Sequence, residues 1–148
     1  MKKQYILPFF IALMSIFVIA CDKDDDDNIQ NEETARVRTV LQEGRWVIRQ
    51  YKHDGVDRTT LFSDYVFQFD AGNVLRAAQG STSHNGSWSV TADDDGPADL
   101  DLNIFFSGTV DLRALNEDWE IIRYTADRIE VADDYGDIDE DLLIFEKQ

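Results

Sequence analysis

The 148-residue chain carries 30 acidic and 14 basic side chains, which gives a formal net charge of −16 at pH 7. This charge disfavours nucleic acids and anionic bilayer surfaces as partners, because both are polyanions. The single cysteine excludes an internal disulfide, so a folded domain of this chain must be held together by its core.

The first twenty residues are typical of a secretory signal. Two lysines at positions 2 and 3 precede an apolar run that ends at Ala20, and this run is shorter than the roughly 20 residues needed to span a bilayer. The segment Val18-Ile19-Ala20-Cys21 resembles a lipobox, the processing motif of bacterial lipoproteins. The resemblance implies that residues 1–20 are a signal peptide, that cleavage falls between Ala20 and Cys21, and that Cys21 carries acyl chains that anchor the protein.

Residues 21–30 follow as an acidic segment that contains a run of aspartates. Like charges repel one another and nothing apolar is present to bury, so we predict an extended, solvated tether. Lys23 followed by Asp24 and Asp25 resembles the surface-export signal of Bacteroidetes lipoproteins, which implies the outer face of the outer membrane. Asp22 resembles instead a retention signal of enteric lipoproteins. We favour the cell surface and keep the periplasmic face as the alternative.

Residues 31–148 are predicted to form one all-β domain that a short helix precedes. Val37, Val40 and Leu41 form one apolar stripe on a helix over 31–41, and Gly44 suits the left-handed residue that ends it. The remaining chain alternates apolar and polar residues in short runs, which indicates an antiparallel up-and-down meander closed into a barrel. The eight predicted strands are 45–52, 64–70, 73–79, 84–91, 99–106, 118–125, 127–132 and 141–147.

Two links are too short for a crossover, so the strands that flank 70–73 and 125–128 must be antiparallel neighbours. Asn85-Gly86 is interpreted as a further turn signal. Alternation then assigns the side chains that face the core. These are Trp46, Ile48, Tyr65, Phe67, Phe69, Trp88, Val90, Leu100, Leu102, Ile104, Trp119, Ile121, Ile129, Val131, Leu142 and Ile144.

Gly44-Arg45-Trp46 opens the first strand, and Gly86-Ser87-Trp88 repeats the pattern later. With the helix before them and the meander around them, these motifs resemble the lipocalin-like domains of small Bacteroidetes lipoproteins over residues 31–148. The resemblance implies that Trp46 packs at the base of the barrel. The chain is shorter than classical lipocalins and lacks their disulfides, which counts against a deep cavity.

Several aromatic side chains are candidates for the wall of a ligand pocket. In barrels of short strands such side chains either line a pocket at the mouth or simply fill the core. The candidates are Trp88, Trp119, Tyr65 and Phe67.

The acidic residues supply one weak metal candidate. Asp137, Asp139 and Asp141 alternate as oxygen ligands for Ca²⁺ would, but the sixth position of such a loop is not the glycine that an EF-hand requires, so a solvated loop is favoured. His53 and His84 lie in no zinc-ligand pattern. The sequence also has no nucleophile elbow, phosphate loop or dinucleotide fingerprint. We therefore expect no catalytic residue and no cofactor.

The favoured function is that of a lipid-anchored, non-catalytic lipocalin-like envelope protein that binds a small apolar or amphipathic ligand. The alternative is an interaction or inhibitory module that meets a basic envelope protein with its acidic face. An enzyme that uses paired carboxylates is a third interpretation, because glycoside hydrolases need only two such groups.

Overall fold

The computed structural model describes residues 24–92, 99–133 and 141–148, with side chains from Ile29 onward. Helix α1 spans Asp24–Gln42, so the acidic segment predicted to be extended is helical from Asp24. Aspartates in a first turn interact favourably with the positive end of the helix dipole, which explains the earlier start. Val37 and Leu41 are fully buried, and Gly44 with a φ of +100° ends the helix as predicted.

Eight antiparallel strands close into a barrel, as the sequence predicts, and each lies within two residues of its predicted bounds. A ninth, two-residue strand and a 3-10 turn over Thr59–Phe62 were missed because they are too short to show a periodicity. The strands are β1 Trp46–His53, β2 Val56–Asp57, β3 Tyr65–Asp70, β4 Val74–Gln79, β5 Thr82–Ala92, β6 Leu100–Phe105, β7 Asp118–Tyr124, β8 Arg128–Asp133 and β9 Asp141–Lys147. A second short helix, α2, spans Val110–Arg113.

Strands β3 to β9 follow one another in the sheet, and β9 returns to pair with β1. That closing ladder runs from Trp46 opposite Lys147 to Lys52 opposite Leu142. On its other side β1 pairs with β3 only at Trp46 opposite Phe67, while β2 forms a small hairpin on the end of β1. Closure pairs the edges that β1 and β9 would otherwise leave open along this ladder.

The two predicted tight links are confirmed, because Asp70 pairs with Val74 and Tyr124 with Ile129. The turn at Asn85-Gly86 is wrong, since both residues lie inside β5. The glycine there has a packing role. A Cβ at Gly86 would lie 2.4 Å from the carbonyl oxygen of Phe105, so the glycine permits the close approach of β6 rather than a change of direction.

The face assignment, which the alternation gave for seven strands but not for β4, is confirmed for six of them and wrong for the last. Leu143 and Phe145 are fully buried in the core, whereas the alternation had placed Leu142 and Ile144 there. Four consecutive apolar residues give no alternation, so the pattern could not choose a face. A bulge in β1 between Ile48 and Gln50 also shifts the register of this pairing, which sequence spacing does not reveal.

Each end of the barrel is covered by a segment tied to a tryptophan. At the helix end, where α1 packs, the Trp46 indole donates to the carbonyl of Leu41 at 2.8 Å. At the opposite end, here the loop end, residues 106–116 cross the barrel. There the Trp119 indole donates to the carbonyl of Leu115 at 3.0 Å, and the Tyr51 hydroxyl donates to Ala114 at 2.8 Å. A buried indole N–H needs such an acceptor, so both covers are fixed in position.

Tyr124 provides a further attachment for α1. Its hydroxyl donates to the carboxylate of Glu33 on the helix. Burial of the phenol, reinforced by this bond, raises the pKa of Tyr124 to about 12. The neutral tyrosine is therefore the form that the packed helix requires.

The contact at Gly86 can be tested by adding one methyl group. Gly86→Ala should lower the free energy of unfolding by about 1–3 kcal/mol, because the new atom collides with backbone that cannot move freely. Gly108→Ala is the matched control, since its Cβ would meet nothing closer than 3.8 Å, and it should change stability by no more than about 0.5 kcal/mol. Urea unfolding measures both variants. Equal stabilities of the two would contradict the close approach.

Candidate functional site

The structure places the four candidate pocket side chains in the buried core. Trp119 and Phe67 are fully buried, and Trp88 and Tyr65 are 2% and 4% exposed. The Trp88 indole donates to the carbonyl of Asp70 at 3.1 Å, which fixes its orientation. Trp46 is also fully buried at the helix end.

Ring-to-ring contacts fill the space between these side chains. Phe145 meets Phe67 and Phe69 edge to face, with ring centroids 5.6 Å apart in both pairs. Phe69 meets Trp88 in the same way at 5.3 Å. These are preferred separations for aromatic pairs, so the rings stabilise one another. Within the described ranges no polar or charged residue is buried, and the polar atoms of the three tryptophans and of Tyr51 already bond to backbone carbonyls.

Several predicted site residues cannot be placed. Ala20, Cys21, Lys23, Asp137 and Asp139 lie outside the described residues, as does the calcium loop that contains the last two.

Of the export signal, Asp24 and Asp25 are described only as backbone of α1. Across the part of the chain that is described, no helix combines the length and apolar character needed to cross a membrane.

The third calcium candidate, Asp141, is partnered instead by His53. Closure of the barrel sets the start of β9 beside the end of β1, where the Asp141 carboxylate contacts the His53 imidazole. The same carboxylate accepts the backbone N–H of Asp54 at 2.8 Å. Sequence reasoning missed this contact because 88 residues separate the two side chains.

A possible metal-ligand atom is present on each of His53, Asp54 and Asp141. These three atoms all lie within 4.8 Å of one another. Imidazole nitrogen and carboxylate oxygen are ligands that a divalent metal could share. The Asp54 side chain, however, is 78% exposed, and the two carboxylates approach different nitrogens of the ring. As it stands the group is a hydrogen-bonded cluster, in which the histidine lies between two acids.

More carboxylates gather around this histidine at the loop end. Partial desolvation raises the pKa of Glu117, and the neighbouring carboxylates of Asp133 and Asp118 raise it further. Asp141 acts in the same direction. It also contributes, after burial, to the raised pKa of the Tyr51 phenol. We call Asp54, Glu117, Asp118, Asp133 and Asp141 the acidic end.

A groove of about 430 Å³ lies on the outer wall beside the acidic end. It runs from Asn73 at the β3–β4 turn, across β5 and β6, to Glu117 and Asp118 at the start of β7. Phe105 lines it and is 58% exposed. The sequence placed Phe105 on a strand opposite the buried alternation, but it could not show that polar side chains of three strands surround it.

A comparison with solved structures finds a similar fold. The chain is similar to a DUF4847 family protein from Bacteroides vulgatus ATCC 8482, with a TM-score of 0.53 over 76% of this chain and 97% of that chain. The two sequences are 14% identical, so the likeness concerns the fold alone, and it fits the lipocalin-like barrel. No family model and no curated protein matches the sequence.

Because carboxylates crowd around Glu117, we predict that Glu117→Gln stabilises the folded protein and that this stabilisation depends on pH. A raised pKa means that the folded state binds the proton more tightly than the unfolded chain, so ionisation of Glu117 destabilises the fold as the pH rises. The variant should therefore unfold at higher urea at pH 7. The gain should shrink as the pH falls to about 4, where the carboxyl is largely protonated in both states.

Glu43→Gln is the control for this experiment, because Glu43 lies at the helix end, 3.7 Å from the Lys147 ammonium. It should show no such gain at pH 7. A Glu117→Gln effect that stays constant between pH 4 and 7 would contradict the electrostatic origin.

Proposed function

We propose that the protein is a lipid-anchored, non-catalytic envelope protein that binds its partner with the outside of the barrel. The observation that carries this proposal is the packing of the interior. The described core is filled by rings in mutual contact, and both ends are covered by segments bonded to Trp46 and Trp119. A ligand inside, which the sequence favoured, would have to displace these rings, so the outer surface is the better-supported place for binding.

The acidic end brings several carboxylates together on that surface. Its carboxylates lie close enough to raise the pKa of Glu117, and a basic partner that approached would relieve this repulsion. Complementary charge accelerates association and selects among partners more than it adds affinity. We therefore propose a basic envelope protein as the partner.

Membrane attachment is supported by the sequence Val18-Ile19-Ala20-Cys21. Helix α1 begins three residues after Cys21, and its last turns pack on the helix end of the barrel through Val37 and Leu41. An anchor at Cys21 would thus hold the helix end nearer to the membrane and leave the acidic end on the far side. We propose the outer membrane, with the barrel at the cell surface and the periplasmic face as the alternative.

The anchor is tested by Cys21→Ser in the native host. The wild type should incorporate labelled palmitate and partition with the envelope, whereas the variant should lose the label because the acceptor thiol is gone. If Asp24 and Asp25 direct surface export, the variant Asp24→Asn/Asp25→Asn should still incorporate palmitate. It should no longer be cleaved by protease added to intact cells, because it stays beneath the outer membrane. Incorporation of labelled palmitate by Cys21→Ser would overturn the proposal that Cys21 carries the anchor. A wild type protected from protease would place it on the periplasmic face.

The acidic end is tested by neutralising it. Asp54→Asn/Glu117→Gln/Asp118→Asn should lose a partner that the wild type retains from its own envelope at low salt, and about 0.5 M salt should release that partner from the wild type. The control Glu32→Gln/Glu43→Gln/Asp127→Asn removes the same number of charges elsewhere and should retain it. Equal retention of the partner by both variants would contradict the proposal. So would a native mass of the wild type that includes a tightly held apolar molecule.

A further inference from the structure

The groove shares Glu117 and Asp118 with the acidic end, but the proposed function does not use the rest of its lining, which includes the exposed ring of Phe105. We propose that it binds a neutral sugar ring of a glycan, by stacking the ring on Phe105 and hydrogen-bonding its hydroxyls to the side chains around it. This inference goes beyond the basic-partner proposal and does not depend on it.

Phe105 supplies the stacking surface. Among the exposed large apolar side chains of the described residues it is the only aromatic one. Its neighbour in register on β5 is Ser87, whose small side chain leaves room over the ring. The face of an aromatic ring is electron-rich, and the C–H groups on one face of a pyranose carry a partial positive charge. An exposed ring rimmed by polar groups is typical of a binding groove.

The hydroxyl and amide groups of the polar wall both donate and accept hydrogen bonds, whereas the carboxylate of Asp118 only accepts. Ser89 lies opposite Asn103 on one side, and Asp118 lies opposite Asn103 on the other, so these side chains form a row across three strands. A sugar hydroxyl also donates and accepts, and amide and hydroxyl side chains match it in both directions.

Two amides of this wall are held in place by the protein itself. Asn103 donates to the Thr91 hydroxyl at 2.9 Å. Asn116 accepts from the backbone N–H of Phe106 at 2.7 Å and donates to its carbonyl at 2.9 Å. An amide has two N–H donors and two lone pairs, so each retains capacity for a ligand. Fixed side chains lose little conformational entropy on binding, which favours a weak polar ligand.

The negative charge at one end of the groove restricts the sugars that can bind there. Glu117 and Asp118 line that end, and carboxylates accept hydrogen bonds from hydroxyls but repel other anions. Neutral sugars therefore fit and uronic acids do not. The groove's volume of about 430 Å³ lies within the usual range for small-ligand sites.

The test is calorimetric titration of the full chain in lauryldimethylamine oxide micelles, a detergent without a sugar head group. The probes are cellohexaose, maltohexaose, chitohexaose and, as the anionic comparison, hexagalacturonate. At least one neutral hexaose should bind, and hexagalacturonate should not. Phe105→Ala should weaken binding at least about tenfold, whereas Phe105→Trp should retain it. Val56→Ala, which trims an exposed apolar side chain elsewhere, should bind as the wild type does.

Sugar binding should persist in about 0.5 M salt, because it depends on stacking and neutral hydrogen bonds, while the basic partner is released there. Failure of one proposal is thus distinguishable from failure of the other. The sugar site is overturned if none of the neutral hexaoses binds, or if Phe105→Ala binds them as tightly as the wild type does.

Discussion

Pairing of the first strand with the last is the constraint on which the rest of the structure depends. The ladder between β1 and β9 runs along nearly the whole of both strands, whereas β1 and β3 share a single paired position. Closure therefore depends on residues nearly one hundred positions apart. It completes the core by placing Phe145 against Phe67, and it creates the acidic end by placing Asp141 against His53.

The same closure separates two kinds of outer surface. On the wall of β7, β8, β9 and β1, Arg123 and Arg128 both bond to Glu130, and Arg128 and Arg49 both bond to Glu146. The bonds from Arg123 and Arg128 lower the pKa of Glu130 despite some burial. Exposed pairs of this kind add little stability singly, but here they balance the charge of the wall. At the acidic end carboxylates adjoin one another instead, and Asp133, Asp118 and Asp141 all raise the pKa of Glu117.

The sequence was sufficient for the elements that repeat a period. Alternation located eight strands, and the stripe of Val37 and Leu41 located the helix that covers one end. Sequence patterns failed where contact with another segment of the chain determines the conformation or the buried face. Gly86 looked like a turn residue because the approach of Phe105 from β6 is not visible locally. In the last strand four apolar residues follow one another, and the choice of Phe145 over Ile144 shows only in the pairing of Phe145 with the buried Ile48 of β1.

Sites are harder to predict than the fold for the same reason. The His53–Asp141 contact and the groove around Phe105 each combine residues from strands far apart in sequence. A shared fold at 14% identity shows how weakly the barrel constrains its surface. Core positions must only be apolar and of suitable volume, and outward positions are freer still. Phe105 is exposed on a strand whose other outward residues are Asp101 and Asn103, so its ring does not contribute to the core. Its exposure therefore agrees better with recognition of a ligand than with folding.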